Sequence, residues 1–156
     1  MASEKERKFL VQGNIVPTQI LQQYKGRHLM QGYLMLDGTR QLRVRTIDNS
    51  EAYICFKAPL SPEEKSEFEY PIPFHDALEL MQLCKCTISK ERYSYSSGDL
   101  HFDIDKYIGI DLVVCEIEYK DELTAAGIPA FCTDEVTGNN EYSNIVLAMR
   151  NESTIL

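Results

Sequence analysis

The sequence predicts a mainly β protein (α+β) built from antiparallel strands, either a sandwich or a closed barrel, with a few helices outside it. Three observations lead there. Most segments alternate apolar and polar residues with a period of two. Short turn signals such as Asp37-Gly38 and Ser96-Ser97-Gly98-Asp99 separate them. About eight such segments can be counted, with only two or three helical stretches among them.

In chain order, Glu4 to Val11 opens the series with charges and ends apolar. Met30 to Leu36 reads as a strand that stops at Asp37-Gly38. Leu42, Val44 and Ile47 carry the next, which Asp48-Asn49-Ser50 terminates. Tyr53 to Lys57 follows and is closed by Pro59, and a shorter strand at Glu67 to Tyr70 stops before Pro71 and Pro73. The period then changes. Phe74, Ala77, Leu78, Met81 and Cys84 recur on one helical face, so Phe74, Leu78 and Met81 are expected to pack on the sheet. Period two returns in Thr87 to Tyr95, in Leu100 to Tyr107 and in Asp111 to Tyr119. Leu123 to Ala126 suits one helical turn before Gly127, and Tyr142 to Arg150 suits a helix.

The chain has 156 residues and no linker or repeat, so one domain over residues 1–156 is expected. No apolar run approaches the roughly 20 residues that cross a bilayer. The start, MASEKERKFLV, lacks the apolar stretch of a signal peptide, which predicts a cytoplasmic protein. Five cysteines, an odd number, with no H-x₃₋₅-H pair, speak for reduced thiols over disulfides or structural zinc. A net charge of −8 repels nucleic-acid phosphates at long range, so neither nucleic acid nor membrane is expected as partner; a homodimer stays open.

The charges follow the strand phase. Glu4, Glu6 and Lys8 share one face; so do Arg43 and Arg45, Glu67 and Glu69, Lys90 and Arg92, Asp103 and Asp105, and Glu116 and Glu118, while Lys57 ends its strand. Acid-x-acid pairs are no more frequent than this acid content yields by chance, and a half-buried sheet with a solvated face would alternate in the same way. The opposite faces argue further: Leu42 and Val44, Phe102 and Ile104, and Val113, Cys115 and Ile117 are apolar. If the sheet closes, the charges line its interior. A dry interior cannot hold them unpaired. A wet one can, when it binds a ligand carrying one sign of charge together with a metal carrying the other. Arg and Lys suit phosphate, and paired carboxylates suit Mg²⁺ or Mn²⁺.

These motifs carry a resemblance. Glu4-x-Glu6-x-Lys8 in EKERKFLV is similar to the E-x-E-x-K signature of the CYTH superfamily, the triphosphate tunnel metalloenzymes. GYL at 32–34 with LRVR at 42–45, EFEYPI at 67–72, KERY at 90–93, FDIDKY at 102–107, EIEY at 116–119 and EVTGNNEYSN at 135–144 follow in the family's order. Three departures stand out: Asp103 where Glu is common, Lys65 where an Arg often precedes Glu67, and Lys106 at a usually apolar position that should face outward.

The resemblance implies an eight-stranded antiparallel β-barrel enclosing a tunnel, and metal-dependent hydrolysis of a small-molecule triphosphate. With Glu4 and Glu6 kept and no large insertion for a nucleoside or thiamine, inorganic tripolyphosphate is the expected substrate. The alternatives on the same fold are nucleoside or thiamine triphosphate hydrolysis and adenylate cyclisation; from another class, a non-catalytic polyphosphate- or nucleotide-binding barrel. The roles implied are triphosphate binding by Lys8, Arg43, Arg45, Lys57, Lys90 and Arg92, and metal binding by Glu4, Glu6, Glu116 and Glu118. Glu67, Glu69, Asp103 and Asp105 would aid a second Mg²⁺ or Mn²⁺ and position the attacking water. Tyr142 and Asn144 are expected near one tunnel mouth, and Lys5 and Arg7, out of phase, in solvent.

Overall fold

The computed structural model describes residues 3–155, and the side chains of residues 4–150. The alternating segments form the strands β1 (Ser3–Val11), β2 (Arg27–Asp37), β3 (Arg40–Ile47), β4 (Glu51–Pro59) and β5 (Glu64–Pro71). After the helix come β6 (Thr87–Ser97), β7 (Leu100–Tyr107), β8 (Val113–Tyr119) and a short β9 (Cys132–Glu135). The helices are α1 (Thr18–Gln23), α2 (Phe74–Leu83) and α3 (Asn144–Ile155). α1 and β9 escaped the sequence reading: six and four residues are too short to display a period.

Eight strands run in the order β5-β4-β3-β2-β6-β7-β8-β1, and β1 pairs back onto β5, so the sheet closes into a ring. This decides between sandwich and barrel in favour of the ring. The seam is short. Ser3 to Lys5 pair with Glu64 to Ser66, while further along the same edge Phe9 and Val11 pair with β9. The first part of β1 therefore closes the ring and the last part holds an outer strand. Hairpins join β2 to β3 and β6 to β7 at Gly38 and Gly98, both at φ 60°, where a side chain would be strained.

The two faces of the ring differ in content. Outside, Phe9, Val11, Tyr93, Phe102, Ile104, Cys115 and Ile117 form a core closed by Val16 and by Ile20 of α1. On the far side Val44 and Ala52 are covered by α2 through Phe74, Ala77, Leu80 and Met81. α2 lies so close to β2 that a Cβ on Gly32 would stand 2.6 Å from both Cys84 Sγ and Met81 Sδ. Leu78, expected in this interface, is instead 47% exposed; Leu80 takes its place because the packed face runs through Ala77, Leu80, Met81 and Cys84.

Inside, α3 fills one end. Its Ile145, Leu147 and Ala148 pack on Tyr33, Ile88, Tyr107 and Val114, which alternate in phase with the charged residues of their strands. The barrel interior is thus apolar beneath α3 and charged beyond it. Among the described residues no helix is long and apolar enough to cross a membrane.

Candidate active site

Beyond the α3 plug lies a cavity of about 140 Å³. Its lining is wholly polar: Glu4, Glu6, Glu67, Glu69, Asp103, Glu116 and Glu118 face Arg43, Arg45, Lys57, Lys65 and Arg92, with Asn144 at its α3 side. The inward phase of β1, β3, β4, β5, β6, β7 and β8 delivers these groups. Of the fourteen residues expected in the site, the structure brings eleven to this wall; Lys8, Lys90 and Asp105 lie just off it.

Each of the three has a definite place. Lys8 opens onto a second cleft of about 590 Å³ beside α3, and its Nζ donates to the Tyr142 carbonyl at 3.1 Å. That cleft shares Glu6, Lys57 and Lys65 with the cavity. Lys90 and Asp105 have no solvent exposure and pair at 2.8 Å. Asp105 also accepts from Arg92 Nε and Nη2 at 2.7 and 2.8 Å, a bidentate pair. Its carboxylate therefore holds Arg92 in the wall from behind.

The cations are fixed one by one. Arg45 donates through Nε and Nη2 to Gln31 Oε1 at 3.0 and 2.7 Å, and its Nη1 lies 3.7 Å from Glu69. Gln31, fully buried, sits between Arg45 and the Tyr33 hydroxyl. Arg43 donates from Nη2 to Glu67 Oε1 at 3.1 Å, while its buried Nε has no acceptor. Lys65 pairs with Glu6. Asn144 Oδ1 accepts from the Tyr107 hydroxyl at 2.5 Å and from Lys90 at 3.3 Å, which ties the start of α3 to the wall.

The carboxylates are crowded. Glu4 is pushed up to about 8, first by burial, then by its hydrogen bond with Glu67 and the charges of Glu67 and Glu118. Burial and the neighbouring Glu116 also raise Glu6. Burial acts against the ionised forms of Glu67 and Glu116 too, yet both are held low: Glu67 by Glu4 and Arg43, Glu116 by Lys8, Lys65 and Arg92. Lys57 is lowered well below its usual range by burial and by Lys65 and Arg43. Acids whose ionisation is opposed by their neighbours' charge, as Glu4 and Glu6 are, mark a site that a further positive charge would stabilise. Hard oxygen donors of this kind fit a divalent ion such as Mg²⁺ or Mn²⁺.

Sequence reasoning passed over Lys65, Gln31 and Cys55 as site residues. Lys65 is two residues before Glu67 and Cys55 two before Lys57, so strand phase alone would have found both. Nothing local marks Gln31. Arg7, expected in solvent, instead pairs with Glu135 of β9 at 2.6 Å and lies over the Phe9 ring.

A CYTH domain matches residues 2–135. The chain belongs to the CYTH domain family. It is 33% identical over 148 residues to an inorganic triphosphatase of Acetivibrio thermocellus, covering 92% of each chain. Its fold is similar to the PH1012 protein of Pyrococcus horikoshii OT3, with TM-score 0.60 and 22% identity over 80% of this chain and 82% of that one. It is also similar to a putative adenylate cyclase of Vibrio parahaemolyticus, with TM-score 0.56 and 13% identity over 79% of each chain. At these identities the two structures speak for the shared fold alone.

Proposed function

We propose that this CYTH protein hydrolyses a linear triphosphate in a divalent-metal-dependent reaction, with inorganic tripolyphosphate as preferred substrate. The observation that carries the reading is the cavity wall itself, where five cations and seven carboxylates meet with no apolar lining. The inorganic triphosphatase relative supports the reaction class.

Arg43, Arg45, Lys57, Lys65 and Arg92 bind the phosphate oxygens and offset the charge that spreads over them in the transition state. Lys8 extends this row into the cleft, and Lys90 with Asp105 keeps Arg92 in place. Glu4, Glu6, Glu116 and Glu118 would hold a divalent ion, with a second aided by Glu67, Glu69 and Asp103. A bound Mg²⁺ or Mn²⁺ supplies charge neutralisation and a more acidic water. Asp103 is oriented by Ser94, His101 and Arg92. Glu69, at 36% the most exposed of the three, has the freest access to an attacking water.

Phosphate release from tripolyphosphate should require Mg²⁺ or Mn²⁺, stop with a chelator and return on adding the metal back. Full turnover in excess chelator would overturn the proposal. A second reading rests on the cleft beside α3, where Leu36, Leu60, Val146 and Met149 offer an apolar lodging for an organic group joined to the phosphates. Comparing kcat/KM for tripolyphosphate, ATP and thiamine triphosphate under one metal condition separates them. A higher value for either organic substrate favours the cleft.

A further inference from the structure

Cys55 stands on the inner face of β4, in one row with Arg43 of β3 and Glu69 of β5. Its thiol is 1% exposed and lies 3.4 Å from Glu67 Oε1. Donor atoms of Cys55, Glu67 and Glu69 all lie within 4.8 Å of one another. A tetrahedral ion with a sulfur ligand at about 2.3 Å and an oxygen at about 2.0 Å separates those two ligands by roughly 3.5 Å. The thiol–carboxylate spacing already present is of that size.

A thiol is a poor partner for Mg²⁺ and a good one for softer divalent ions. We infer that Cys55, Glu67 and Glu69 form a site for a thiophilic divalent cation of the Zn²⁺, Co²⁺ or Cd²⁺ class. It takes Glu67 and Glu69 from the set that would aid the second hard ion and adds a sulfur ligand, while Glu4, Glu6, Glu116 and Glu118 are left to the first. A second feature of the same row points to a ligand. The guanidinium of Arg43 meets the thiol at Glu67 Oε1, and its buried Nε has no acceptor. An ion bound here brings an oxygen with it, as water or phosphate, and the row holds a donor for it. Coordination releases the thiol proton to solvent.

The inference rests on the triphosphatase reading only for its consequence: an ion bridging Glu67 and Glu69 removes them from water positioning and inhibits turnover. The binding itself is tested without substrate. The full chain is titrated with Cd²⁺, and separately Co²⁺, following the ultraviolet sulfur-to-metal charge-transfer band. A band saturating at one equivalent is expected in the wild type and in Cys84→Ser and Cys132→Ser. Cys55→Ser should lose it while keeping its circular dichroism spectrum, and Glu69→Gln should weaken Cd²⁺ binding by at least tenfold. No band in the wild type, or an unchanged band in Cys55→Ser, overturns the site. Absence of Mg²⁺-dependent phosphate release would instead overturn the triphosphatase reading, and a Cys55-dependent band would still support the site.

Discussion

Asp105 shows how a side chain with no solvent exposure can serve a wet cavity. It accepts two hydrogen bonds from Arg92 and an ion pair from Lys90, so Asp105→Asn leaves two cations short of their counter-charge. Breaking a buried pair in this way costs about 3–5 kcal/mol, which urea denaturation should read. The acid limb follows the same group. Burial opposes its ionisation, but Arg92 and Lys90 hold Asp105 down at about 2, below its ordinary 3.8. A depressed carboxyl stabilises the fold above its unfolded value and loses that contribution as pH falls through its folded one. Stability should therefore decline between roughly pH 4 and pH 2, by about 2 kcal/mol from this residue. Glu4 works in the opposite sense. Raised to about 8, it is protonated at neutral pH, and a metal ion must displace that proton. Calorimetry of Mn²⁺ binding at pH 7 in buffers of different ionisation enthalpy should show proton release, and Glu4→Gln should reduce it. Lys65→Ala, removing the partner of Glu6, should lower kcat/KM for tripolyphosphate by about a hundredfold.

At the scale of elements, α3 decides where the barrel stops being a core and becomes a cavity. Its apolar residues occupy the interior end, and Asn144 at its start reaches Tyr107 and Lys90. Leu147→Ala removes a side chain 3% exposed and should cost about 2–5 kcal/mol, seen as a lowered denaturation midpoint. α2 illustrates how periodicity can mislead. Phe74, Leu78 and Met81 fit a helical stripe on paper, yet Met81 and Cys84 are the side chains that meet Gly32, Ala77 packs with Val44 and Ala52, and Leu78 stays outside. The helix was legible from its spacing; which of its residues touched the barrel depended on the shape of the sheet beneath.

For the whole molecule, closure is the decisive event, and it is made by the shortest pairing within the ring. Among the described residues the ladder between β1 and β5 runs only from Ser3 to Lys5 against Glu64 to Ser66, whereas β2 and β3 pair from Leu29–Ile47 to Asp37–Arg40. Native-state hydrogen exchange should find the amides of residues 64–66 opening far more readily than those of 43–46. Tripolyphosphate with Mg²⁺, bound by both Glu6 of β1 and Lys65 of β5 in the proposed complex, should slow exchange at the seam. Unchanged exchange on ligand addition would count against a ligand that spans it.

The amino-acid order by itself determined the eight strands of the ring, since side chains two residues apart must share a face; Arg43 with Arg45 and Glu116 with Glu118 are placed together by that rule alone. It also determined that the charged faces recur from strand to strand, and its motifs pointed to the CYTH family. Only the tertiary structure decided that the sheet closes, because closure is a pairing between β1 and β5, distant in the chain. It alone separated Arg92, at the cavity wall, from Asp105 and Lys90 behind it, although all three share the inward phase. Phase says which way a side chain points. How deep it lies, and which opposite charge it meets, depends on neighbours that the chain brings from elsewhere.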